Sequence, residues 1–128
     1  MKSHQISVLM YGRDAHLLES RKWVLESRGY RVHKIVRLSE LNHIPVQPSV
    51  SLVVLCHTLT SEEAAEGFAR ASRRWHGIKQ LQLVADSSRY PSQVLGQVMH
   101  TLDGPARLLT MVSELVGHSG SSSYSHIY

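Results

Sequence analysis

The amino-acid sequence predicts an α/β domain in three layers, a doubly wound, five-stranded parallel sheet with helices on both faces. Three observations carry that prediction. Short apolar runs alternate with segments of helical period from one end of the chain to the other. The run from Val50 to Leu55 is apolar and β-branched, as a strand buried on both faces requires. The helical segments open on capping residues (Asp14, and Thr60 with Glu63) and two of them close on glycine (Gly29, Gly77).

Ile6 to Tyr11 reads as a buried first strand stopped by Gly12. Asp14 stands at an N-cap, and Leu17, Leu18, Val24 and Leu25 recur as one stripe of an amphipathic helix ended by Gly29. Tyr30 to Val36 is a second strand, less apolar and therefore placed at an edge. Ser39 to His43 forms at most a short helix before Pro45 and Pro48. After the strand at 50–55, Ala64, Gly67, Phe68, Ala71 and Trp75 fall on one helical face. Ile78 to Ala85 is a fourth strand and Asp86 to Pro91 a turn. The stretch from Tyr90 to Gln97, which contains Gly96, makes a turn or two of helix at most. Val98 to Leu102 is a short fifth strand. Pro105 opens a last helix at N1, with Leu108, Leu109, Val112 and Leu115 inward. Residues 1–116 form the domain, and 117–128 are expected to be a flexible tail rich in Ser, Gly and His.

A chain of 128 residues, 42% hydrophobic, supports one core. Its apolar runs are far shorter than the roughly 18 residues of a membrane span, and it opens on no secretory signal. The single cysteine, Cys56, has no internal disulfide partner and fits a reducing, cytoplasmic setting. The net charge of +4 is uneven. Lys2, Arg13, Arg21, Lys22, Arg28, Arg31, Lys34 and Arg37 face only Asp14, Glu19, Glu26 and Glu40 in the first 40 residues. No helix-turn-helix, zinc ligand set or base-stacking platform accompanies this excess. The chain is therefore not expected to bind nucleic acid by itself.

In this fold class, function gathers where strands end. Here those ends carry Tyr11-Gly12-Arg13-Asp14, Cys56-His57, Val84-Ala85-Asp86 and His100-Thr101. At this point residues 5–116 resemble the receiver domain of bacterial two-component response regulators, a flavodoxin-like fold. The likeness rests on Leu17-Leu18 through Trp23-Val24-Leu25-Glu26-Ser27-Arg28-Gly29-Tyr30-Arg31-Val32, and on Leu52-Val53-Val54-Leu55-Cys56-His57-Thr58-Leu59-Thr60.

The resemblance implies an acidic pair after the first strand that holds Mg²⁺. It also implies a phosphoacceptor aspartate after the third strand, a hydroxyl after the fourth and a lysine after the fifth. This sequence has Gly12 and Arg13 for the acidic pair, with Asp14 as the neighbouring carboxylate. Cys56 stands for the acceptor, Val84 for the hydroxyl, and His100 or Thr101 for the lysine. Mg²⁺ requires hard oxygen ligands, and phosphoryl transfer depends on that ion. A guanidinium about 4 Å from a cation costs on the order of 4 kcal/mol at moderate dielectric. The chain is expected to be a degenerate member, a pseudo-receiver without phosphotransfer. The short span between Val84 and Thr101 also predicts a fourth helix that is reduced or missing, and with it an altered partner face.

Two further groups invite chemistry. Cys56, beside Arg13 and helix N-termini, would be an acidified redox thiol if exposed and an inert small hydrophobe if buried. His57 and His100 converge with Cys56 only if the strand ends bring them together, and none of the nine histidines shows a helical ligand spacing. The sequence predicts no catalytic set, no metal site and no cofactor. Trp23 lies off the Leu17/Val24 stripe, so Arg21, Lys22, Trp23 and Arg28 make a candidate interface for a protein partner or a second copy. The expected function is a phosphorylation-independent signalling module acting by protein–protein contact. The alternative is a small-anion or redox sensor built on Arg13 and Cys56.

Overall fold

The structure, a computed structural model, describes residues 5–84, 97–100 and 104–116. Five strands lie parallel in the order β2-β1-β3-β4-β5. They are β1 (Ser7–Tyr11), β2 (Arg31–Ile35), β3 (Val50–Leu55), β4 (Lys79–Val84) and β5 (Gln97–His100). The helices are α1 (Ala15–Glu26), α2 (Ser61–Arg74) and α3 (Gly104–Val116), with a 3-10 segment at Leu38–His43. The predicted three-layer, doubly wound sheet of five parallel strands is therefore present, with β3 at its centre and β2 at an edge.

Alternation along each strand sends neighbouring side chains to opposite layers. On one face Val8, Met10, Leu52, Val54, Leu81 and Leu83 pack against Leu18 and Leu25 of α1 and Leu108, Met111 and Val112 of α3. On the other, Leu9, Tyr11, Val53 and Leu55 pack against Ala64 and Ala71 of α2, against Leu41 of the 3-10 segment and against Ile44 just after it. Because both faces are covered, β1 and β3 can be apolar along nearly their whole length. Among the described residues no helix is long and apolar enough to cross a membrane.

The helix ends obey local chemistry. The Asp14 carboxylate accepts from the backbone N–H groups of His16 (3.0 Å) and Leu17 (3.2 Å), satisfying two of the donors that the first turn leaves open. At the other end Gly29, with φ +91°, lets Tyr30 N–H reach back to the Leu25 carbonyl (3.3 Å). Thr60 and Glu63 form a reciprocal capping box at α2, with bonds of 2.9 and 3.0 Å.

Several expectations shift. Trp75 does not continue the helical face of α2. It adopts an extended conformation as the C-cap, and its indole N–H donates to the Val46 carbonyl (3.1 Å) from a buried position. A buried indole needs an acceptor, and the chain before β3 offers one that the helix cannot. Pro105 is the second residue of α3 rather than the first, and Met111 joins the inward face while Leu109 and Leu115 are only half-buried. Gln97, expected in a helical turn, begins β5. The rest of that turn, the predicted turn at 86–91, the reduced fourth helix and the tail 117–128 lie outside the described residues.

The approach of α2 to the sheet depends on one missing side chain. A Cβ on Gly67 would stand 2.7 Å from Tyr11 Cδ2, 3.0 Å from its Cε2 and 3.4 Å from Leu55 Cδ2. Tyr11 is itself buried, so its ring has nowhere to go. Gly67→Ala gains about 1 kcal/mol of helix propensity, yet overpacking costs about 1–3 kcal/mol. The expected outcome is net destabilisation, seen as a lower urea midpoint at unchanged slope. Repeating the substitution in a Tyr11→Leu background, which removes the ring, should shrink the loss.

Candidate functional site

The strand order turns back on itself between β1 and β3, and their carboxyl ends form the crevice where a doubly wound sheet binds ligands. Here the two ends touch. Cys56 N–H donates to the Tyr11 carbonyl (2.9 Å), Gly12 N–H to the Ile35 carbonyl (3.2 Å), and Arg13 N–H to Thr58 Oγ1 (2.8 Å). Gly12 lies so close to the cysteine that a Cβ added to it would meet Cys56 Cβ at 2.9 Å, Cys56 Sγ at 3.2 Å and Thr58 Oγ1 at 3.2 Å. The space where a side chain at position 12 would begin is already occupied.

The neighbouring charges are committed elsewhere. The Arg13 guanidinium reaches across to α2 and pairs with Glu63. That pairing raises the Arg13 pKa, and the Thr60 backbone bond followed by Arg13 holds the Glu63 carboxyl below its usual range. Glu63 thus serves the capping box and the ion pair together. The Asp14 carboxylate is turned onto the first turn of α1 as its cap. At the end of β4, Val84 is buried and apolar. It sits in register beside His100 of β5, whose side chain lies outside the described residues, as does Thr101.

Cys56 is only 4% exposed, and burial pushes its thiol pKa up; the nearby Arg21 opposes that shift without overcoming it. Of the two readings of Cys56, the geometry therefore fits the buried small hydrophobe and not the acidified thiol. The cation beside the sulfur is Arg21 rather than Arg13, which is turned to Glu63. A guanidinium that has a carboxylate within reach takes it in preference to a neutral thiol. Arg21 stands three residues after Leu18 and four after Leu17, so it shares the apolar stripe of α1. Its Nη1 is buried and has no hydrogen-bond partner. His57 Nδ1 is likewise buried and unpartnered, and desolvation, then Arg21, lowers that imidazole's pKa against the pull of Asp14. No group of three His, Cys, Asp or Glu side chains able to hold a metal occurs among the described residues.

The opposite side of α1 is different. Trp23 is 69% exposed, the most exposed large hydrophobic side chain described. Its indole N–H donates to Glu19 (3.0 Å), which also pairs with Lys34 of β2 (3.4 Å). Arg28 is exposed and Lys22 half-buried nearby in sequence. Arg21 does not share this surface, because its stripe faces the core. Two features went unread in the sequence: the inward direction of Arg21 and the Glu63 partner of Arg13. The first was signalled by the i, i+3 and i, i+4 spacing from Leu18 and Leu17; the second had no local signal, since fifty residues separate the pair.

No protein-family model and no curated protein matches the chain. Solved structures do. A CheY-like response regulator receiver domain from Methanospirillum hungatei superposes with a TM-score of 0.69 at 19% identity, covering 90% of this chain and 96% of that one. The signal receiver domain of an HD domain-containing protein from Pseudomonas fluorescens gives 0.70 at 14% identity, over 92% and 99%. A response regulator from Thermotoga maritima gives 0.69 at 15% identity, over 88% and 98%. At these identities the likeness establishes the fold, that of receiver domains.

Two outcomes follow from the buried groups. His57 and His33 both have pKa values lowered, each chiefly by desolvation, so the unfolded chain binds protons more readily than the folded one. Stability should therefore fall as pH drops from about 7.5 through the unfolded histidine pKa of about 6.5. Urea midpoints across pH 7.5–5.5 measure this, and a His33→Asn/His57→Asn variant should flatten the slope. The Cys56 shift has the opposite sign, so stability is lost as pH rises past the ordinary thiol pKa of about 8.5. In the folded protein at pH 8, Cys56 should react with a thiol reagent on the order of a hundredfold more slowly than in urea.

Proposed function

We propose that this chain is a receiver-like regulatory module that works by protein–protein contact and carries out no phosphotransfer or other catalysis. The observation that carries the reading is the contact between Gly12 and Cys56. It fills the place from which a metal-binding carboxylate would project, so the position has lost both the group and the room for it. The adjoining groups support the same conclusion. Arg13 presents a cation that is engaged by Glu63, Asp14 is held as a helix cap, and Val84 offers no hydroxyl. Nothing at these positions supplies the hard oxygen cluster that Mg²⁺ needs to neutralise a transferring phosphoryl group.

Without a chemical switch, such a module acts through a surface that is always displayed. The outer face of α1 is the best candidate, with Trp23 as an exposed aromatic anchor flanked by Lys22 and Arg28. Its partner is a protein carrying acidic groups around an apolar pocket, or a second copy of the chain. The sensor alternative on Arg13 and Cys56 loses support, because the arginine is neutralised by Glu63 and the thiol is buried with its pKa raised. The receiver-like fold supports reading the module as a part of two-component signalling, acting in the bacterial cytoplasm.

Amide NMR spectra recorded with Mg²⁺ and beryllofluoride, or with acetyl phosphate, should match the spectrum of the protein alone. Shifts centred on Gly12, Cys56 and Val84 would refute the reading. Trp23→Ala should leave the free energy of unfolding within about 0.5 kcal/mol of the parent, as an exposed substitution does. It should also weaken self-association in sedimentation experiments, or binding to a purified partner, by tenfold or more, the loss of about 1.4 kcal/mol expected for an interface anchor.

A further inference from the structure

A cavity of about 220 Å³ opens between α1 and α3 over the ends of β4 and β5. Leu17 and Val24 of α1, Leu83 of β4, Met99 of β5, and Pro105 and Leu108 of α3 form its apolar wall. One cationic side chain, Arg21, also lines it. This is the guanidinium whose Nη1 is buried without a hydrogen-bond partner, and it belongs to no ion pair among the described residues. A second orphan, His57 Nδ1, lies within the field of the same guanidinium. His57 does not line the cavity, but an unsatisfied guanidinium nitrogen on a residue of its wall is costly unless something completes it.

We propose that this cavity binds a small monocarboxylate with a compact apolar body. The planar fork of a guanidinium matches the two oxygens of a carboxylate, and the bond is strongest where water is excluded. The wall beyond it is hydrocarbon apart from Ser20, so the remainder of the ligand must be largely hydrocarbon too. An apolar protein cavity of about 150 Å³ accommodates benzene, so the space here suits a body of about six to eight carbons. A phosphate dianion fits less well, since a single arginine would leave most of its oxygens facing Leu, Val and Met side chains. The cavity connects to the strand ends through Arg21, which stands beside Cys56. A ligand held there would report to the place where receiver domains keep their switch. The proposal stands on the cavity and the orphaned Arg21 nitrogen and does not require the regulatory reading above to hold.

Phenylacetate and hexanoate are the probes, titrated into the full chain with detection by amide and methyl NMR. Saturable shifts at Leu17, Val24, Leu83, Met99 and Leu108, with a Kd in the millimolar range or tighter, are expected. Phenylacetamide, which has the body without the charge, and acetate, which has the charge without the body, should each bind at least tenfold more weakly. Arg21→Gln should cost at least tenfold in phenylacetate affinity. Should that variant fail to fold, Val24→Phe, which fills the cavity and leaves the arginine in place, should abolish the shifts. The proposal is overturned by an absence of shifts up to about 10 mM probe, or by shifts confined to another surface. Equal affinity for the amide or for acetate, or parent-like binding in Arg21→Gln or Val24→Phe, would overturn it as well.

Discussion

The close contact between the ends of β1 and β3 is the constraint on which the rest of this molecule turns. Both strands are parallel, both are buried on two faces, and their order reverses between them. In a sheet of this kind the crevice beyond that point is the natural place for a ligand. Here a glycine and a cysteine lie against each other in that crevice, with Thr58 closing the third side. The contact favours burial and tight packing over the open, acidic cup that a divalent ion would need. Everything inferred about activity follows from the size and charge of the groups that meet there.

Charge has been redistributed around that contact. Arg13, which directly follows Gly12 at the end of β1, pairs with Glu63 at the N-terminus of α2. This ion pair is surface-exposed and adds little stability. Its consequence is positional, because it ties the loop after β1 to the helix after β3 and leaves the crevice without that cation. Arg21 takes the opposite route. It lies among the apolar residues of α1, and its head reaches the buried cysteine while its stem covers hydrocarbon. One helix therefore carries a half-buried guanidinium, with one buried nitrogen, on its inward stripe and an exposed indole on its outer face.

Much of the architecture was legible in the primary structure. Val50–Leu55 was recognisable because a strand covered on both faces has to be apolar along its length. The starts of α1 and α2 were recognisable because Asp14, and Thr60 with Glu63, satisfy open backbone donors within three residues of themselves. Local hydrogen-bonding needs leave local signatures. Trp75 resisted the same reasoning because its spacing suited the helix while its indole required the distant Val46 carbonyl.

The candidate site divides along the same line. Residue types at positions 12, 13, 56 and 84 were enough to show that these four positions carry no carboxylate, since charge and ligand hardness belong to each side chain wherever it lies. How those residues are used depended on the folded chain: that Gly12 abuts Cys56, that Arg13 turns to Glu63, and that Arg21 rather than Arg13 stands beside the sulfur. Each of those facts is a distance between segments remote in sequence. Such distances are set by how layers pack, and no periodicity or composition of a single segment contains them.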